Sequence, residues 1–167
     1  MNSELDANNP LSRIRDLSYD CIFGTDANPR MSRTAKMNKI MHGDGQGGVH
    51  HNDGLLNVNG IFENRFDIIL TNPPFGSRVE KSLKLTEADK YKDAERIAKY
   101  RERYGKAYDE ALRQINDNID KPLLDLYDTG SMSTLTEVLF IERSLNLLKP
   151  GGRMGIVLPE GVLNNTN

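Results

Sequence analysis

The chain has 167 residues with 22 basic and 24 acidic side chains, a formal net charge of −2, and one cysteine, Cys21. This length is enough for one domain with a hydrophobic core. The charge balance gives no global basic signature of nucleic-acid binding, and a single thiol excludes an internal disulfide framework. No apolar run is long enough for a membrane span and no signal peptide is visible, so we expect a cytoplasmic protein without a membrane partner.

The first predicted elements are a strand and a helix. Residues 21–26 indicate a buried strand that ends in the carboxylate of Asp26. Asn28 followed by Pro29 is typical of a helix start, with Asn as the N-cap and Pro at the first helical position. We expect this helix to end at Gly43.

Asp26 stands at the C-terminal tip of a predicted strand, just before a helix. Nucleotide-binding α/β folds hold ribose hydroxyls with a carboxylate at this place. A helix-capping or solvated acid is the alternative, and on the residues alone it is the more common one.

The glycine-rich residues 43–54 match no phosphate-binding pattern between a strand and a helix. Nearby histidines and acids suggest a metal site, but their spacing fits no common site, and His50 and His51 would point to opposite faces of a strand. We therefore predict no metal and a short strand at 49–51 that leads to Asp53, which we prefer to Asp44 as a site residue.

The segment 66–76 combines a strand with an abrupt stop. Its first half, Phe66-Asp67-Ile68-Ile69-Leu70, is an apolar run typical of a strand buried in a parallel sheet. Pro73 and Pro74 have no N–H for a sheet, and residues before proline favour extended geometry. We expect a stiff corner that presents the Asn72 amide, backbone carbonyls and an exposed Phe75 ring.

Such a corner suits the activation of an aromatic amine, whose lone pair is delocalised into its ring. If Asn72 Oδ1 and the Pro73 carbonyl each accept one amine hydrogen, they stabilise the positive charge that grows on nitrogen during attack. Phe75 would stack on the heterocycle after it swings out of a duplex. The alternative is a structural loop after a core strand, with Phe75 packed in the interior.

Residues 81–121 differ in composition, with many charges and an interrupted apolar stripe. We predict two amphipathic helices broken near Gly105, inside a helical insertion at about 81–130. A basic cluster with interleaved tyrosines could contact DNA phosphates, although a solvated helical hairpin is the more common explanation; its members are Lys99, Arg101, Arg103 and Lys106.

The last predicted elements are a helix, a turn and a strand. Thr134 and Glu137 have the spacing of a capping box that opens a helix. Its predicted buried stripe contains Leu135, Val138, Leu139, Leu145 and Leu148. Residues 149–152 form the turn, and 153–159 are predicted as a buried strand.

Asn72-Pro73-Pro74-Phe75, after Asp67-Ile68-Ile69-Leu70, resembles the catalytic motif of S-adenosylmethionine-dependent DNA adenine-N6 methyltransferases. The likeness is closest to the modification (M) subunits of type I restriction–modification systems. Related protein-glutamine and RNA methyltransferases more often end this motif in tyrosine, so Phe75 followed by glycine favours the type I group.

The resemblance implies a cofactor, S-adenosyl-L-methionine, and roles for six residues. Asn72, Pro73, Pro74 and Phe75 would be catalytic. The resemblance also implies that Asp26 binds the cofactor's ribose and Asp53 its adenine amine. The implied partners are double-stranded DNA and the specificity and restriction subunits.

The implied fold is a Rossmann-like, doubly wound, mostly parallel α/β sheet of the class I methyltransferase kind, with a helical insertion. The expected first strand and glycine-rich cofactor loop have no counterpart in residues 1–20, and the strands of the far sheet edge should follow residue 163. We therefore expect residues 1–167 to be a partial catalytic domain that is inactive in isolation. A non-catalytic remnant or scaffold for partner subunits or DNA, and a methyltransferase acting on RNA or protein glutamine, are the alternatives.

Overall fold

A computed structural model describes residues 21–42 and 48–164, and the chain divides into two compact units after Ile61. The first unit contains strand β1 (Gly24–Asp26), helix α1 (Pro29–Met41) and strand β2 (Val49–His51). The second unit contains, in order, β3 (Phe66–Thr71), α2 (Ala94–Tyr104), α3 (Lys106–Asn116), two 3₁₀ turns (Leu123–Leu126 and Asp128–Ser131), α4 (Thr136–Leu147), β4 (Leu148–Ile156) and α5 (Glu160–Leu163).

In the first unit, α1 connects two parallel strands, and Asp26 on β1 lies opposite His51 on β2. The predicted helix start is confirmed, because the Asn28 side chain accepts a hydrogen bond from the Arg30 N–H and Pro29 opens α1. The strand itself is shorter than predicted and begins at Gly24. Gly43 and Asp44 lie outside the described residues.

The second unit is built on the parallel pair β3 and β4, in which Thr71 lies opposite Ile156. The described residues form two separate two-stranded parallel sheets, β1–β2 and β3–β4. Parallel strands mixed with helices confirm an α/β architecture, whereas a continuous doubly wound sheet stays a prediction.

The prediction that β3 is a buried strand is wrong for the described structure. Ile68 and Leu70 are 65% and 83% exposed, and β4 likewise alternates between exposed and half-buried residues. Helix α4 packs against these strands, but the exposure of Ile68 and Leu70 shows that the described residues leave these two side chains uncovered. An apolar strand is buried only where both of its faces are covered.

The two helices predicted on either side of Gly105 are confirmed, and Gly105 has a φ of 55°, whereas their status as an insertion stays a prediction. This positive φ favours glycine because a side chain would be strained there. Helix α3 is strongly amphipathic and buries Tyr108, Ala111, Leu112 and Ile115. A cluster of Phe62, Tyr108, Ala111 and Leu112 forms the core of this region, and Tyr91, Ile97, Tyr100 and Tyr104 pack against it.

Helix α4 begins differently from its prediction. Leu135 is the N-cap and no side chain caps the helix, so Thr134 and Glu137 do not form a capping box. Leu139 is fully buried as predicted, but Leu145 is 55% exposed. No helix among the described residues combines the length and apolarity needed to cross a bilayer.

Candidate active site

Residues 72–75, called the NPPF segment below, follow β3 directly at its C-terminal end. Asn72 and Pro74 are exposed, Pro73 is buried, and Phe75 is 49% exposed. Within residues 21–42 and 48–164, no hydrogen bond involves the Asn72 side chain or the Pro73 carbonyl. The segment therefore exposes the Asn72 amide and the Phe75 ring, which is not packed in the interior. Neither the amide oxygen nor the Pro73 carbonyl has a hydrogen-bond partner among the described residues.

The backbone on both sides of Phe75 is bound to the first turn of α4. The Thr136 hydroxyl lies 2.9 Å from the Pro74 carbonyl, to which it donates. The Gly76 N–H donates to the Glu137 carboxylate at 2.5 Å, a contact between residues 61 positions apart in the chain. Of the carbonyls that the double proline offers, that of Pro74 is thus occupied by Thr136.

Glu137 is only 3% exposed, although its side chain is charged. The hydrogen bond from Gly76 is the main cause that holds the pKa of this carboxyl below its usual value, and it outweighs the opposing effect of burial. The positive charge of Arg78 acts in the same direction. Glu137 is therefore ionised at neutral pH, and its bond to Gly76 is charge-assisted.

Backbone contacts continue the same interface beyond the NPPF segment. The Thr136 N–H donates to the Ser77 carbonyl at 3.1 Å, and the Val79 N–H donates to the Thr134 carbonyl at 2.8 Å. These bonds fix residues 77–79 beside the start of α4 whatever side chains stand at 136 and 137.

Asp26 and Asp53 lie at the same edge of the β1–β2 pair, because the C-terminal ends of parallel strands meet at one edge. Asp26 is the last residue of β1, and the Asn52 N–H donates to its backbone carbonyl at 3.2 Å. The structure thus brings the two predicted cofactor-binding acids to one edge of the first unit.

Each acid uses one carboxylate oxygen in a local turn. Oδ1 of Asp26 accepts from the Asn28 N–H at 2.7 Å, and Oδ1 of Asp53 accepts from the Leu55 N–H at 2.9 Å. In the part of the chain that the structure describes, the second oxygen of each makes no hydrogen bond. These residues fit a ligand with hydroxyl or amine donors, such as the ribose and adenine of S-adenosylmethionine. Among the described residues there is no group of three or more metal-ligating side chains.

The predicted basic cluster on the inserted helices is exposed, but one member is already paired. Arg101 binds Asp109 at 2.7 Å across the Gly105 break, and the Arg103 guanidinium lies over the Tyr104 ring at 5.4 Å. Contact of this cluster with DNA phosphates stays a prediction.

Sequence reasoning missed the contact of Thr136 and Glu137 with the loop that follows β3. It also missed Glu142, which accepts hydrogen bonds from the backbone N–H groups of Asp128 and Thr129. The sequence did contain one indication of these contacts, since Glu137 and Glu142 flank the apolar run 138–141. Ionised side chains beside such a run require partners, and these are rarely predictable from spacing alone.

Comparison with known families finds one match. The family model described as N-6 DNA Methylase matches residues 11–104, which is more than half of the chain and includes both acids and the NPPF segment. No curated protein and no solved structure matches the chain. On the extent of the family match, the chain belongs to the N-6 DNA methylase family.

Proposed function

We propose that this chain carries the catalytic segment of an S-adenosylmethionine-dependent DNA methyltransferase that modifies adenine N6, as a modification subunit of a type I restriction–modification system. The observation that supports it most is the exposed Asn72 amide beside the Pro73 carbonyl, both without protein partners among the described residues, in a family of DNA methylases.

In this proposal, Asn72 Oδ1 and the Pro73 carbonyl accept the two hydrogens of the adenine amine. Two fixed acceptors favour a more tetrahedral nitrogen and stabilise the positive charge that grows there. Pro74 restricts the backbone, so that little reorganisation is needed at the moment of reaction. No strong base or covalent nucleophile is required of the chain.

Phe75 presents a half-exposed ring that would stack on the extruded base. Asp26 and Asp53 would hold ribose hydroxyls and the adenine amine of the cofactor with the oxygens that the local turns leave available. When bound, S-adenosylmethionine supplies the methyl group as a sulfonium. Double-stranded DNA and the specificity and restriction subunits are the proposed partners.

The test is expression of the complete gene product in a host that lacks adenine methylation, followed by mass spectrometry of its DNA for N6-methyladenine. We expect the modified base with the wild-type protein and its loss with Asn72→Ala. Asp67→Asn is the matched control, because Asp67 lies near the start of β3, at the end away from Asn72, where it pairs with Lys149 on the surface.

Normal methylation by Asn72→Ala would reject the mechanism. Absence of S-adenosylmethionine binding to the complete product in calorimetry would favour a scaffold without turnover. Methylation of RNA or of a protein glutamine in competition with duplex DNA would reassign the substrate.

A further inference from the structure

Two neighbouring side chains of α4 bind the backbone on either side of Phe75. Thr136 contacts the peptide before this ring through the Pro74 carbonyl, and Glu137 contacts the peptide after it through the Gly76 N–H. Both side chains are buried, whereas the ring between their contacts is half exposed. We infer that Thr136 and Glu137 are positioning residues that fix the orientation of the NPPF segment toward its target base.

The Thr136 hydroxyl has one proton and three acceptors around it. The Pro74 carbonyl is nearest at 2.9 Å, followed by the Ser77 carbonyl at 3.2 Å and Glu137 Oε2 at 3.3 Å. A single donor serves one acceptor well at a time, so the shortest contact takes the proton. The hydroxyl thereby binds the Pro74 carbonyl, whereas the Pro73 carbonyl has no hydrogen-bond donor among the described residues.

Glu137 fixes the other side of the ring. The Gly76 N–H has the Glu137 carboxylate as its acceptor at 2.5 Å, and Gly76 has a φ of 68°. Glycine adopts this backbone conformation readily but also leaves it readily, because no side chain restricts its alternatives. A charged acceptor on a rigid helix therefore selects one conformation of a residue that would otherwise sample several.

The two contacts can be removed without dismantling the interface. Residues 77–79 stay bound to residues 134–136 through backbone hydrogen bonds that do not depend on either side chain. Loss of the side-chain contacts should thus loosen residues 74–76 only. Since misplacement of a reacting group by about 1 Å can cost on the order of 10²-fold in rate, a local effect is enough to impair turnover.

This inference depends on the proposed function, and the test uses the complete gene product with DNA from a host without adenine methylation. Glu137→Met removes the acceptor at similar length, and Thr136→Val removes the hydroxyl at constant shape. We expect kcat to fall about 100-fold for Glu137→Met and about tenfold for Thr136→Val, with the KM for S-adenosylmethionine within about twofold of wild type. Thr136→Ser should restore kcat because it keeps the hydroxyl.

Glu142→Met is the matched control. Glu142 lies on the same helix and also accepts backbone N–H groups, but from Asp128 and Thr129 instead of the NPPF segment. We expect it to lower stability without lowering kcat. Equal loss of kcat in Glu142→Met, or full kcat in Glu137→Met, would overturn the inference.

Hydrogen exchange of a peptide that covers residues 75–79 separates this inference from the proposed function. Glu137→Met should speed exchange of the Gly76 amide by about tenfold or more while the rest of the chain keeps its protection. If the wild-type protein methylates no DNA, the proposed function fails and the exchange result alone decides the positioning. Unchanged exchange at Gly76 in Glu137→Met would then reject it.

Discussion

Arg65, which precedes β3, binds Tyr104 at the end of α2. Its Nη2 donates to the Tyr104 hydroxyl at 2.6 Å, and its guanidinium carbon lies 4.4 Å from the centre of the Tyr104 ring. The same guanidinium lies 5.0 Å from the Phe66 ring and 5.5 Å from the Phe62 ring. One planar cation thus joins the start of β3 to the end of α2.

We therefore predict that Arg65→Lys destabilises the protein by about 1–2 kcal/mol, since an ammonium cannot replace a planar group that contacts several rings and donates a hydrogen bond. Urea denaturation measures the change in the free energy of unfolding. Arg103→Lys is the control, because Arg103 is exposed and contacts Tyr104 at 5.4 Å. A change for Arg65→Lys no larger than that of Arg103→Lys would contradict the prediction.

Local signals in the sequence predicted the elements of this fold well. Asn28 and Pro29 start α1, and Gly105 separates α2 from α3, because capping and a positive φ depend on one or two neighbouring residues. Asn72 and Phe75 were predicted to be accessible from the proline geometry, and both are exposed.

Contacts between distant residues were not predictable in the same way. The Thr134–Glu137 spacing indicated a local capping box at the start of α4. Instead, the Glu137 carboxylate binds the Gly76 amide, which is distant in sequence and comes close to α4 only in the folded chain. The prediction that β3 is buried was wrong for the same reason, because the residues of a strand do not indicate whether a second layer of structure covers it. The residue pattern of a segment indicates that it forms a strand, but the elements packed against that strand determine how far it is buried.

Gly130 lies in the second 3₁₀ turn, packed too closely against the first turn to carry a side chain without movement of the backbone. A Cβ at this position would lie 2.1 Å from the Leu124 carbonyl oxygen. Gly130→Ala should therefore cost about 1–3 kcal/mol in the free energy of unfolding, because backbone must shift to relieve the overlap. Gly161→Ala is the control, since nothing lies within 4 Å of its added Cβ and it lies in a helix. Thermal unfolding that gives both variants the same melting temperature would refute the prediction.

Glu137 and Glu142 should make the stability of the second unit depend on acid pH. The hydrogen bond from Gly76 is the main cause of the lowered pKa of Glu137. Partial burial raises the pKa of Glu142, but hydrogen bonds from Thr129 and Asp128 outweigh it and leave the pKa below its usual value. A carboxyl with a lower pKa in the folded state stabilises the fold above its unfolded pKa of 4.5, and this stability is lost as pH falls through the folded value.

We accordingly predict that Glu142→Gln costs about 1 kcal/mol at pH 7, because neutral acceptors form weaker hydrogen bonds than charged ones. The difference from wild type should shrink as pH falls below 4.5 and vanish below the lower folded pKa of Glu142, where the native carboxyl is also neutral. Urea denaturation at a series of pH values measures this. A difference that stays constant down to pH values of about 2 would show that charge is not involved.

Asp26→Asn separates the structural role of Asp26 from its proposed role in cofactor binding. The amide oxygen of Asn can still accept from the Asn28 N–H, so the turn before α1 should form normally. The negative charge is lost, and we expect the Kd for S-adenosylmethionine to rise about tenfold in calorimetry on the complete gene product. Asp89→Asn is the control, because Asp89 also accepts a backbone N–H in a local turn, that of Thr86. Equal affinities of the Asp26→Asn and Asp89→Asn variants for S-adenosylmethionine would show that Asp26 does not bind the cofactor.

Substitution of Phe75 should distinguish a role of its ring in stacking on the target base from a role in the stability of the fold. Its ring is half exposed, so Phe75→Ala should change the free energy of unfolding by less than about 1 kcal/mol. Loss of stacking on an extruded base is worth about 1–3 kcal/mol, which corresponds to a drop in kcat/KM of about 5- to 150-fold. Phe75→Tyr keeps the ring and should retain most of the activity. Leu83→Ala, an equally exposed apolar residue outside the NPPF segment, is the control. Adenine methylation by Phe75→Ala at the rate of Leu83→Ala would show that the ring does not contact the base.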